Sequence, residues 1–208
     1  MKQATLILLT ATSMMLGNLQ ARGQSEPSSV TARQAQLAES GHVVEGGRTI
    51  PYLIRRLPVS SFPDLPEEVV SQLGERGCMI PQTFQAHHPE NVVHASLERA
   101  GSSDWAVLCS AHGTVSLLVF FASNAKEPIV LASMQETQRL QAHDLTGVLG
   151  FNWGIDPASP RRIKEAQAAM LRRPPLLDHD ALADSIVDQR TVYHFYEKAA
   201  WTLVEMPG

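Results

Sequence analysis

Between Asn91 and Met134 the chain carries four apolar runs of strand length, and this stretch restricts the fold more than any other. The runs are Asn91–Leu97, Trp105–Ser110, Val115–Ala122 and Ile129–Met134. Their spacers are short and hold turn residues: Gly101-Ser102-Ser103, His112-Gly113, and Ser123 to Pro128. Consecutive strands joined so briefly are expected to pair as antiparallel neighbours in a meander. The run SLLVFFA (116–122) is apolar on both faces, which predicts a central strand covered on both sides.

The flanking segments supply helices and hairpins. Gly46-Gly47 separates two short β-type runs within 42–57 and reads as a hairpin turn. Pro51 is expected to confine the second run to an edge or to end its ladder. In FPDLPEEVVSQLGERG, Asp64 is the expected cap, with Glu67 three residues on and Val69, Val70 and Leu73 as the buried stripe. Gly74 and Gly77 end that helix. Ser159 and Pro160 open a second helix through Arg173, which Pro174-Pro175 stops. Residues 178–187 are expected to form a short Asp-capped helix. Thr191–Glu197 and Ala200–Glu205 form a closing hairpin, with Lys198-Ala199 near its turn. The order predicts an α+β fold: an antiparallel β-meander sheet with two or three helices packed against one face.

The N-terminus reads as an address. Lys2 precedes an apolar run from Ala4 to Leu16, and Leu19-Gln20-Ala21 offers a small residue for cleavage. We therefore divide the 208-residue chain into a signal peptide (1–21), a polar linker or arm (22–41) and a single globular domain (42–208). The leader holds one of the 17 Lys+Arg and none of the 21 Asp+Glu, so the net charge of −4 deepens to −5 on cleavage. That sign argues against nucleic acid as a partner. No stretch of the mature chain approaches a membrane span. The expected location is the bacterial periplasm or the extracellular space. An oxidising compartment favours pairing Cys78 with Cys109, the only two cysteines; buried free thiols are the alternative.

Candidate chemistry is sparse. There is no Gly-x-Ser-x-Gly, Walker A loop or His-Glu-x-x-His. Asp178-His179-Asp180 places two carboxylates and an imidazole within three residues, enough to serve a metal or to orient His179 as a general base. Helix capping by Asp178 or Asp180 is the structural alternative. Asp184 follows one helical turn on, and His143-Asp144 is a second such dipeptide. Trp153, in the glycine-flanked GFNWGIDP, and Asp104 are candidate binding residues; a core position is the alternative for Trp153. No metal site and no cofactor are expected.

The segments RGCMIPQTF (76–84), NVVHASLERAGSSDWAVLCSAHGTVSLLVF (91–120) and DHDALADSIVDQRTVYHFYEKAAW (178–201) carry a resemblance. The chain resembles a group of uncharacterised secreted bacterial proteins. They share Cys-x-Ile-Pro-Gln, Asp-Trp-Ala-Val-Leu-Cys-Ser and a late Asp-His-Asp before a final strand with Trp. The resemblance covers roughly residues 57–203 and implies an architecture without a mechanism. Both cysteines fall inside its motifs, which suits a paired structural role. The segment 95–107 is also similar in outline to an FG-GAP calcium loop. Ala100 and Ser103, however, stand where carboxylates are wanted, so no calcium is expected there. The functional expectation is a non-enzymatic binding module for a cell-envelope component or envelope-protein partner. The alternative is a hydrolase or metal-dependent enzyme using Asp178, His179 and Asp180.

Overall fold

A computed structural model describes residues 38–169 and 177–205. The expected signal peptide, residues 22–37 of the expected arm, and the expected end of the second helix with Pro174-Pro175 lie outside the described residues. The described residues form thirteen strands and two α-helices. The large sheet contains β1 (Ala38–Glu45), β2 (Arg48–Pro58), β3 (Met79–Gln82), β4 (Val92–Ala95), β5 (Asp104–Ala111), β6 (Thr114–Phe120), β7 (Ile129–Gln135), β8 (Leu140–Ala142) and β9 (Leu149–Phe151). Its order is β7-β6-β5-β3-β2-β9-β8, with β1 added on β2 and β4 on β5. The small sheet runs β10 (Trp153–Ala158), β11 (Ala181–Ile186), β12 (Arg190–Glu197), β13 (Ala200–Glu205), all antiparallel. Helix α1 spans Glu67–Glu75 and α2 spans Pro160–Ala166.

The α+β expectation is therefore corrected. The protein is mostly β, and β2 pairs with β9 in parallel, so the large sheet is mixed. The four runs of 91–135 do pair in sequence as β4 to β7, but they are one part of that sheet. The helices also do not share one face. Strand β5 shows why, since successive side chains on a strand point to opposite faces. Trp105, Val107 and Cys109 pack with Leu65, Val69 and Leu73 of the α1 region. Ala106 and Leu108 point the other way, into a core shared with Trp153, Ile155 and Leu182 of the small sheet. Helix α2 covers the far side of the small sheet, where Ile163 meets Ala181, Ala183, Tyr193 and Phe195. Two sheets thus enclose the main core, with one helix on each outer face.

The second correction concerns 178–187. Residues 181–186 form β11, not a helix. Ala181 and Ala183 face α2 while Leu182 faces the inter-sheet core, so both faces of the segment are buried between β10 and β12. The intrinsic helix preference of Ala and Leu amounts to tenths of a kcal/mol per residue, and a full ladder with two buried faces outweighs it. Pro51 lies inside β2 opposite His42 of β1, and β2 is not an edge, since β1, β3 and β9 flank it; on the β3 and β9 side pairing begins only at Tyr52, so that ladder ends at the proline.

Turn chemistry follows the sequence more closely. Gly46-Gly47, His112-Gly113 and Lys198-Ala199 all have positive φ at both positions, as two-residue type I′ hairpins require. Asp64 is not the cap of α1; Pro66 holds that position and no side chain caps it. At the other end, Cys78 N–H donates to Leu73 C=O and Gly77 N–H to Gly74 C=O, a Schellman motif. Gly77 takes the left-handed conformation this motif needs. Ser159 Oγ accepts from Arg162 N–H, and Pro160 opens α2.

Three buried polar hubs tie the layers together. Asn91, at φ 69°, donates from Nδ2 to the carbonyls of Pro81 (2.7 Å) and Trp153 (3.1 Å). Its Oδ1 accepts from Ile155 N–H, so one side chain joins the two sheets. Buried Glu136 accepts from the Arg56 guanidinium and from Ser110 Oγ, and Arg56 also pairs with Glu39. Burial works against the charge on Arg56, yet the hydrogen bonds to Glu136 and Glu39 outweigh it and hold its pKa above the ordinary value. Because Glu39 sits in β1, the last four residues of the expected arm belong to the sheet. The third hub is Asp104, described below.

Candidate functional site

The Asp178-His179-Asp180 segment is held by hydrogen bonds in three directions. His179 is 8% exposed, and its Nδ1 lies 2.8 Å from Asp178 Oδ1. Its Nε2 lies 2.8 Å from the carbonyl oxygen of Tyr196. Both ring nitrogens are therefore engaged within the fold. Asp180 is turned to β4: its N–H donates to Ser96 C=O, and its Oδ2 accepts from Ser96 N–H. Asp178 itself is exposed. The His179 hydrogen bond, then a backbone N–H, holds its carboxyl below the usual carboxylate range. Asp184, expected on the same helical face as Asp180, lies instead in β11.

The depressed pKa of Asp178 has a signed consequence. A carboxyl with a lower pKa folded than unfolded stabilises the fold above its unfolded value, about 3.9, and loses that contribution as pH falls through the folded pKa. The melting temperature of Asp178→Asn is therefore expected to lie below wild type at pH 6. The gap should close as the pH drops below about 4. A gap that widens in acid would contradict the assignment.

Asp104 and Trp153 are both interior. Asp104 is fully buried, and Oδ2 accepts from the N–H groups of Leu97 (2.9 Å) and Glu98 (2.7 Å) and from Ser102 Oγ. Oδ1 accepts from Ala122 N–H at 2.9 Å. The carboxylate thus organises the 97–102 turn and the end of β6, with its acceptor capacity spent on the chain itself. Trp153 is 0% exposed and presents no ring to solvent. Its Nε1–H donates to Asp184 Oδ1 at 2.6 Å, while His194 Nε2 lies 3.1 Å from Asp184 Oδ2. The Arg139 guanidinium sits 4.4 Å from the centre of the indole ring. Burial lowers the pKa of Arg139, against the attraction of Asp184. Among the described residues no group of three His, Cys, Asp or Glu could hold a metal ion.

His143-Asp144, the second dipeptide, lines a cleft of about 380 Å³ at the β2–β9 seam. Its walls are Leu53 and Arg55 of β2, Gln82 to Phe84, Ala86, then His143, Asp144, Thr146 and Val148 of the β8–β9 loop, and Gly150 of β9. The His143 ring stacks on Phe84 with centroids 4.7 Å apart and planes 10° from parallel. Gly150 makes that stack fit, because a Cβ there would lie 2.6 Å from Phe84 Cβ and 2.9 Å from His143 Cδ2. Asp144 Oδ1 accepts from both Thr146 Oγ1 (2.6 Å) and Thr146 N–H (2.9 Å). The hydroxyl contact first, then the backbone one, holds the Asp144 carboxyl below its usual range, so it is ionised at neutral pH. Arg55 donates one bond, from Nη2 to Ala86 C=O, and has no carboxylate partner among the described residues. Gly150→Ala is expected to displace the stack and cost about 1–3 kcal/mol, as overpacking does. Thermal unfolding measures it, and an unchanged midpoint would show that the stack yields freely.

A further polar pair lies on the α1 side of the large sheet. His94 Nε2 is 2.7 Å from Ser103 Oγ, and the His94 ring stacks on Trp105. Sequence reasoning singled out neither this pair nor Arg55 and Phe84. The residues of the cleft come from segments separated by tens of positions, so no local pattern marks them. Compared with known proteins, the chain matches no family model, no curated protein and no solved structure.

Proposed function

We propose that this protein is a secreted or periplasmic binding module, non-enzymatic, that engages a cell-envelope component or an envelope-protein partner through the Arg55–His143–Asp144 cleft. The observation that carries the reading is Arg55. A half-buried guanidinium with N–H groups unused by any carboxylate of the described residues lines a concave, largely apolar space, which is how small-ligand sites fix orientation. The leader-like N-terminus and the Cys78–Cys109 disulfide support an oxidising compartment. No helix among the described residues is long and apolar enough to cross a membrane.

Asp178 and His179 form the carboxylate–imidazole pair that a hydrolase would use, but Nε2 of His179 is committed to the Tyr196 carbonyl. A general base needs that nitrogen within reach of substrate. We therefore favour binding over hydrolysis. The test is capture of components from envelope extract by the immobilised mature protein, identified by mass spectrometry. Arg55→Gln is expected to lose the captured component, and an Asp178→Asn/His179→Ala variant to retain it. The reverse pattern would move the site to the 178–180 segment.

A further inference from the structure

The charges lining the cleft define more than an anion site. Arg55 offers a cation without a carboxylate partner among the described residues. Asp144, in the same cleft, is an ionised carboxylate whose Oδ1 is held by Thr146 while Oδ2 lies 3.7 Å from His143 Nδ1. A simple anion drawn to Arg55 would be repelled by Asp144, and a simple cation the reverse. A ligand carrying both charges is favoured by both groups. The lining also offers apolar surface: Leu53 is 50% exposed, and Phe84, Ala86 and Val148 join it. Leu145, on the same loop, is fully exposed beside the cleft. A volume of about 380 Å³ is near the low end for small-molecule sites, which run from roughly 300 to 1,000 Å³. That suits one or two residues of a peptide and excludes a folded domain from entering.

Resting on the binding-module reading, we infer that the cleft takes an amino acid or short peptide with free termini and an apolar side chain. Arg55 receives the α-carboxylate in a charge-assisted hydrogen bond. Asp144 faces the α-ammonium. The side chain lies against Leu53, Phe84 and Val148.

Calorimetric titration of the mature protein with leucyl-leucine tests this. The free dipeptide is expected to bind at least about tenfold more tightly than either its N-acetyl or its C-terminal amide form, a difference of about 1.4 kcal/mol for each lost charge contact. Arg55→Gln should erase the difference between acid and amide, whereas Arg55→Lys should keep it. Asp144→Asn should erase the difference between amine and N-acetyl. Phosphoethanolamine also joins an anion to an ammonium but lacks the apolar body, and should bind at least about tenfold more weakly. Equal binding of free and blocked dipeptides, or of phosphoethanolamine and leucyl-leucine, overturns the inference, as does no binding up to millimolar concentration. If envelope capture still depends on Arg55 in that event, only the ligand class is wrong. If capture is indifferent to Arg55, the binding-module site itself falls.

Discussion

Asp104→Ala is expected to destabilise the protein by about 4–6 kcal/mol, comparable with the whole stability of many single domains. The carboxylate is fully buried and accepts from three backbone N–H groups and one hydroxyl. Alanine leaves those donors facing a small hole. Each buried orphan donor costs roughly 1–3 kcal/mol, and no backbone shift can rescue Leu97, Glu98 and Ala122 together. Asp104→Asn keeps a similar shape but offers one acceptor oxygen in place of two, so about half the loss is expected. Urea unfolding followed by tryptophan fluorescence gives the comparison. A loss below about 1.5 kcal/mol for the alanine variant would mean that water reaches the cavity and replaces the carboxylate.

Removing the Cys78–Cys109 disulfide is expected to cost about 3–4 kcal/mol, the loop-closure value for a bridge spanning 31 residues. The bridge joins Cys78, three residues past the end of α1, to Cys109 in the C-terminal half of β5, and both cysteines lie in the core beneath α1. In a Cys78→Ala/Cys109→Ala variant, hydrogen exchange should rise first across Glu67–Cys78, while β10 to β13 stay protected. Dithiothreitol should lower the urea midpoint of wild type to near that of the variant and leave the variant unmoved. Equal midpoints for oxidised and reduced wild type would show that packing of α1 suffices without the bond.

The parts of this molecule that were legible in the sequence are governed by local physics. Gly46-Gly47, His112-Gly113 and Lys198-Ala199 each sit between strand-forming runs, and a two-residue connection of that kind admits few backbone solutions. Ser159-Pro160 announced α2 because a hydroxyl acceptor and a fixed φ suit a helix start. The doubly apolar 116–122 run announced a strand with two covered faces. Asp64 misled because a capping pattern carries about 1 kcal/mol, less than the packing of Phe62 and Leu65 that sets the entry to α1. Residues 181–186 misled for the same reason at larger scale. Their helical preference is real but small, and the strands waiting on either side are invisible from within the segment.

The candidate site divides along the same line. His143-Asp144 was visible as a dipeptide, and the Cys78–Cys109 pairing was favoured by compartment and count. The concentration of Asp178, His179 and Asp180 was also visible, but not that the segment is spent on Tyr196 and Ser96. Arg55 and Phe84 gave no signal, since their meeting with His143 depends on β2 running parallel to β9 across nearly a hundred residues. By itself the sequence determined the consecutive strands of 91–135, the hairpins, the starts of two helices and the mild acidity, because these follow from propensity, alternation and counting. Only the tertiary structure decided that the helices cover opposite outer faces, that residues 181–186 extend, and that a guanidinium and a carboxylate share one cleft. Those outcomes depend on which distant surfaces bury one another, and that free energy exceeds any local preference.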